Sequence, residues 1–153
     1  MAGGQQQLVF APLGGIGEIG MNLSIYGIGE DRRHSWLAVD VGVSFASEDH
    51  LPGIDLVLPD IRYLVEERKS LAGIVLTHAH EDHFGALIDL WPQLRVPVYA
   101  TPFTAALLEA KRASEPGAPE IPVTIVPLGG RVQIGPFDVE FVSMAHSIPE
   151  ANA

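Results

Sequence analysis

The sequence predicts a layered α/β protein in which helices cover the faces of a sheet. Three observations predict it. Short β-type runs alternate with segments of helical period, each helical segment carries one apolar stripe, and 47% of the 153 residues are hydrophobic, enough to bury a core.

The β-type runs are Leu8 to Ala11, Leu23 to Tyr26, Trp36 to Val41, Gly73 to Thr77, Val96 to Ala100, Val123 to Val126, Arg131 to Ile134 and Asp138 to Met144. Asp60 to Lys69 reads as a helix with Ile61, Leu64 and Val65 on one face, and Asp82 to Leu90 as a second with Phe84, Leu87, Ile88 and Trp91 aligned. A third starts at Thr101 as N-cap with Pro102 in the first helical position, turns Phe103, Ala106, Leu107 and Ala110 inward, and stops at Glu115-Pro116-Gly117. Two loops break the alternation: Leu13 to Gly20, with glycines at 14, 15, 17 and 20, and the long connection Gly42 to Pro59. Ile148 to Ala153 end just after a strand without a closing helix, so the reading expects further sequence. There is no internal repeat.

Composition narrows the chemistry. No apolar run approaches the roughly 20 residues of a membrane span. Leu8 to Ala11 is too short for a signal core, and the first basic residue is Arg32. A cytoplasmic protein without membrane partners is expected. With no cysteine, any metal must be held by imidazole and carboxylate. Nine basic against 19 acidic residues give a formal charge of −10, the opposite of a nonspecific nucleic-acid binder.

Four of the six histidines form one pattern: His78, His80 and His83 within Thr77-His78-Ala79-His80-Glu81-Asp82-His83, and His146 after a later strand. The segment follows the buried run Ile74-Val75-Leu76, so the histidines begin where a strand leaves the sheet. His78 and His80, two apart in extended chain, point the same way, while Asp82 and His83 project from the first turn of the next helix. Such donors suit Zn²⁺ or Mn²⁺, and a metal lowers the pKa of bound water from 15.7 to about 7. Two metals roughly 3.5 to 4 Å apart favour phosphoryl transfer.

His78-Ala79-His80-Glu81-Asp82-His83 resembles the signature of the metallo-β-lactamase superfamily, an αββα sandwich of which this chain would be the N-terminal part. The flanks resemble the ribonuclease J family in particular: Pro12 to Asn22, Pro52 to Asp60, Ala100 to Thr104 and His146-Ser147-Ile148-Pro149-Glu150. That resemblance implies a cytoplasmic ribonuclease using a two-metal-activated hydroxide, cutting RNA internally and from a 5′-monophosphorylated end, and assembling as a homodimer or homotetramer. His78, His80 and His146 would hold the first metal, and Asp82 with His83 the second, Asp82 also orienting the nucleophile. A bridging Asp, a later His, the β-CASP domain and the C-terminal domain would lie beyond residues 1–153. Met21 stands where many family members carry Lys.

Plainer readings compete at several positions. Asp82 alone reads as a helix N-cap, and His146 alone as an ordinary core or surface histidine. Asp40 reads equally as a turn residue or as support for the ligands. His34 and His50 read as exposed loop residues, and Glu81 as solvated. Gly15 to Gly20 spells G-x-G-x-x-G, but a β-type run follows it where a dinucleotide fingerprint opens a helix, so a tight turn near the site is expected. The alternatives to a ribonuclease are a hydrolase of small thioesters or lactams, and an inactive fragment acting only in folding or interaction.

Overall fold

The computed structural model describes residues 6–31, 33–46 and 51–153. His50 lies outside them. Six strands build the main sheet: β1 (Gln7–Gly14), β2 (Leu23–Glu30), β3 (Arg33–Val39), β6 (Leu71–Val75), β7 (Val98–Ala100) and β8 (Val123–Ile125), in the order β1-β2-β3-β6-β7-β8. The first three pair antiparallel, and from β3 to β8 every pairing is parallel. Parallel neighbours need crossovers, supplied by α1 (Arg62–Glu66), by α2 (Glu81–Phe84) with α3 (Leu87–Leu94), and by α4 (Pro102–Ser114).

Alternation along the strands sorts the side chains onto two faces. Trp36, Ala38, Ile74, Leu76, Val98 and Ala100 pack with Leu64, Leu87, Ile88 and Leu108 of the helices. Leu37 and Val75 face the other way, against Ile134, Phe137 and Phe141. Ile134 and Phe137 come from a two-stranded ribbon, β9 (Arg131–Ile134) and β10 (Phe137–Glu140), and Phe141 directly follows it. The described residues therefore make a helical layer, a sheet and the start of a second β layer. No helix among them is long and apolar enough to cross a membrane.

Several expectations need correction. The helix expected over Asp82 to Leu90 is two helices, broken at Gly85-Ala86. The cause is competition for its polar groups: the carbonyls of Asp82 and His83 accept from Asn22 N–H and Val41 N–H, and Ala86 N–H donates to Val41 O, while Glu81 O is shared between Gly85 N–H and Val43 N–H. A neighbouring chain thus takes the bonds a continuous helix would use. It approaches so closely that a Cβ on Gly42 would overlap the Asp82 carbonyl.

In α4 the buried face carries Thr104 and Leu108, with Ala106, Leu107 and Ala110 exposed, so the stripe lies about one position round from the expected one. The run Asp138 to Met144 is not one strand. β10 ends at Glu140, and Val142 and Met144 instead pair with Ala153 and Ala151. The connection Gly42 to Pro59 contains a short hairpin, β4 (Ser44–Phe45) with β5 (Leu56–Val57), too short to show a period. His34 lies in β3, half-buried beside Trp36, and not in an exposed loop.

Candidate metal centre

The site forms where β3 and β6 end side by side. Beyond β6 the chain stays extended through His78 and His80, and α2 then presents Asp82 and His83 from its single turn. Asp82 is inside that helix and His80 occupies the N-cap position, which removes the capping role for Asp82. His146 arrives from a loop closed at its base by the pairing of 142–144 with 151–153. Asn152 N–H and its side-chain amide both donate to Thr77 O, tying the loop to the residue before His78. At the loop's other side the Glu150 carboxylate accepts from Phe103 N–H, 2.8 Å away at the start of α4.

These tethers gather the predicted residues into two groups. One nitrogen each from His78, His80 and His146 fall within 4.8 Å of one another. Asp82 Oδ2 and His83 Nε2 lie 3.4 Å apart, and the His83 ring centroid is 4.0 Å from that of His78. His78, His83 and His146 line a cavity of about 260 Å³ together with Met144, Ala145, Ala151 and Asn152.

Asp40, which sequence alone left between two readings, is the centre of the supporting network. It is buried, with φ at +64°, and its carboxylate accepts from Thr77 N–H, Thr77 Oγ1–H and His83 Nδ1–H. A turn residue would face solvent; this one joins both ligand groups. Because the Thr77 hydroxyl proton goes to Asp40, the 2.9 Å contact between Thr77 Oγ1 and His78 Nδ1 makes Nδ1 the protonated nitrogen of His78. His78 Nε2 and His83 Nε2 are both left unprotonated and turned to the site, the latter within 3.3 Å of the Asn22 amide.

Electrostatics favour the neutral, metal-binding form at His78. Burial, then the neighbouring His83, His80 and His146, push His78 down to about 4, so it is neutral at physiological pH. Burial opposes charge on His83, but the hydrogen bond and charge of Asp40 outweigh it and raise its pKa. Burial raises Asp40 against the pull of His83 and Thr77. His78 Nε2 lies 3.2 Å from His80 Nδ1, and with Nδ1 of His78 protonated this brings a bare lone pair towards a second imidazole nitrogen. His80 can donate there in one tautomer or leave both nitrogens to a cation in the other, and three imidazole nitrogens so gathered fit a divalent metal.

Three residues were missed from the sequence as parts of this site. Asn22 touches Asp82 and His83, Thr77 links Asp40 to His78, and Lys111 pairs with Glu81 at 2.6 Å from the exposed side of the same turn. Glu81 is therefore not simply solvated. The loop before Asn22 joins two antiparallel strands, which removes the dinucleotide fingerprint. Its C-terminal end reaches the site as expected: Asn22 N–H donates to Asp82 O.

Residues 36–153 match the family described as Beta-lactamase superfamily domain. The chain is similar to ribonuclease J of Sinorhizobium meliloti, 60% identical over 97% of this chain and 26% of that protein. It is also similar to ribonuclease J of Helicobacter pylori strain 26695, 37% identical over 93% of this chain and 20% of that protein. It thus spans about a quarter or less of the length of these curated relatives. Among solved structures, Rm3 metallo-beta-lactamase aligns with a TM-score of 0.54 at 19% identity, over 93% of this chain and 54% of that one. BJP-1, a subclass B3 metallo-beta-lactamase of Bradyrhizobium japonicum, aligns at 0.53 and 17%, over 87% and 51%. At such identities the structures speak for the fold alone, the metallo-β-lactamase fold, partly covered. Signature, fold and sequence agree that the chain belongs to the beta-lactamase superfamily, on its ribonuclease J branch.

Proposed function

We propose that this chain is the metal-bearing N-terminal part of a cytoplasmic ribonuclease that hydrolyses RNA phosphodiester bonds. The observation that carries the proposal is the convergence of His78, His80 and His146 beside the Asp82–His83 pair, in a chain 60% identical to a ribonuclease J. His78, His80 and His146 would hold one divalent cation and Asp82 with His83 the other, with zinc or manganese suited to such donors. Bound there, two such cations supply Lewis acidity at phosphorus and lower the pKa of a water. Asp40 and Thr77 hold the His78 and His83 protons on Nδ1, keeping both Nε2 atoms turned to the site. Asp82, carried on the helix turn, would also orient the attacking water.

Cleavage both within RNA and from a 5′-monophosphorylated end, and assembly as a homodimer or homotetramer, belong to the same proposal. The charge of −10 argues that RNA is not gripped by a basic surface on this part of the protein. The test uses the intact protein: metal content by elemental analysis, and cleavage of a 5′-monophosphorylated RNA before and after His80→Ala with His83→Ala. Two metals per chain, with cleavage lost by at least about a hundredfold in the double variant, are expected. Metal retained with RNA untouched turns the assignment to another substrate, a thioester or lactam among them. A metal-free protein ends the proposal.

A further inference from the structure

We infer that the Asn22 side-chain amide competes with the cation for His83, so that the Asp82–His83 pair fills after the His78–His80–His146 group and less tightly. The inference rests on the metal reading above. Asn22 Nδ2 lies 3.0 Å from Asp82 O, 3.2 Å from Asp82 Oδ2 and 3.3 Å from His83 Nε2. His83 Nδ1 stands 2.7 Å from Asp40 Oδ2 and carries the ring proton. Nε2 therefore has a single lone pair, in the plane of the ring. That lone pair accepts the amide N–H or binds a cation, and cannot do both.

Asp82 is under no such constraint, because a carboxylate oxygen has lone pairs to spare. The two amide N–H groups are shared among three acceptors, so the amide can withdraw from His83 and still donate to Asp82. It cannot move far away, since Asn22 N–H donates to Asp82 O at 3.0 Å and Asn22 O accepts from Gly42 N–H at 3.0 Å. Among the described residues no amide stands against the ligand nitrogens of His78, His80 and His146 in this way; their close polar neighbours are one another and Thr77. The first group thus has three ligands and no outside competitor, whereas the second has two ligands and one competing hydrogen bond, and both differences place it second. At about 0.5 to 1.5 kcal/mol for such a bond, its removal tightens the second group roughly two- to tenfold.

The sign distinguishes competition from support. Had Asn22 merely held Asp82 and His83 in place, its loss would weaken the second binding step. The experiment is a Co²⁺ titration of the intact protein, followed by visible absorption and calorimetry, for the wild type, Asn22→Ala and Asn22→Asp. Two steps are expected in the wild type. In Asn22→Ala the second should tighten roughly two- to tenfold with the first unchanged, and Asn22→Asp, with an acceptor in place of the donor, should shift it further in that direction. The unchanged first step reports that each variant is folded. A second step that stays the same or weakens in both variants overturns the inference while leaving the two-metal reading intact, whereas a wild type that takes up no Co²⁺ overturns that reading and the inference with it.

Discussion

A single buried carboxylate decides how two histidines present themselves. Asp40 takes Nδ1–H of His83 directly and governs His78 through the Thr77 hydroxyl, so both rings turn Nε2 to the site. The sequence displayed Asp40 at the end of a β-type run but not its partners, which lie 37 and 43 residues on. The pH dependence belongs at this scale. His78 sits at about 4 in the folded protein against 6.5 ordinarily. Between those values an unfolded chain takes up a proton that the fold refuses, so His78 contributes stability above pH 6.5 that is lost as pH falls towards 4. In the metal-free protein, melting temperature should decline across that window, and His78→Gln should flatten the decline. An equal slope in the variant would remove His78 as its source. His83 works in the opposite sense: its pKa is raised, so its contribution is present at low pH and lost as pH rises through its folded value.

Among the elements, the loop carrying His146 is organised least by its own sequence. Its base is a short antiparallel pairing, its inner side hangs on Thr77 O, and its outer side on the α4 terminus through Glu150. A carboxylate accepting the N–H of a helix's second residue satisfies a donor that the helix cannot, and it meets the positive end of the dipole. The α4 start was legible from Thr101-Pro102. The cap was not, because the Thr101 hydroxyl turns to Thr104 and the capping oxygen comes from Glu150. Glu150→Ala should cost about 0.5 to 2 kcal/mol in urea unfolding. It should also weaken the first cation-binding step, with the Asp82–His83 step less affected. Loss of stability without any change in the first step would confine Glu150 to capping.

For the molecule as a whole, the question is what lies over the second face of the sheet. The ribbon β9–β10 covers part of it, and an apolar cavity of about 470 Å³ remains among Leu8, Tyr26, Ile28, Leu37, Val75 and Phe137. Leu8, Phe10, Val142 and Met144 are each more than half exposed nearby in the chain. Patches of this kind favour association in water. Residues 1–153 produced alone should therefore associate and bind a hydrophobic dye such as ANS. Monodisperse material with a cooperative melt and no dye binding would show that this face is tolerated by itself.

The sequence by itself determined the layered α/β class, seven of the eight expected strands in their main extent and the positions of three helical regions, and it singled out the five residues proposed as ligands. These are local facts: strand alternation, helical period, a Pro at a helix start, and histidines crowded behind a buried strand. Tertiary structure alone decided the break in the second helix, the rotation of the α4 face, the pairing of 142–144 with 151–153, and the parts played by Asn22, Asp40, Thr77 and Glu150. The helix break and the parts of Asn22, Asp40, Thr77 and Glu150 depend on hydrogen bonds between residues far apart in the chain, and no local period carries information about such a partner.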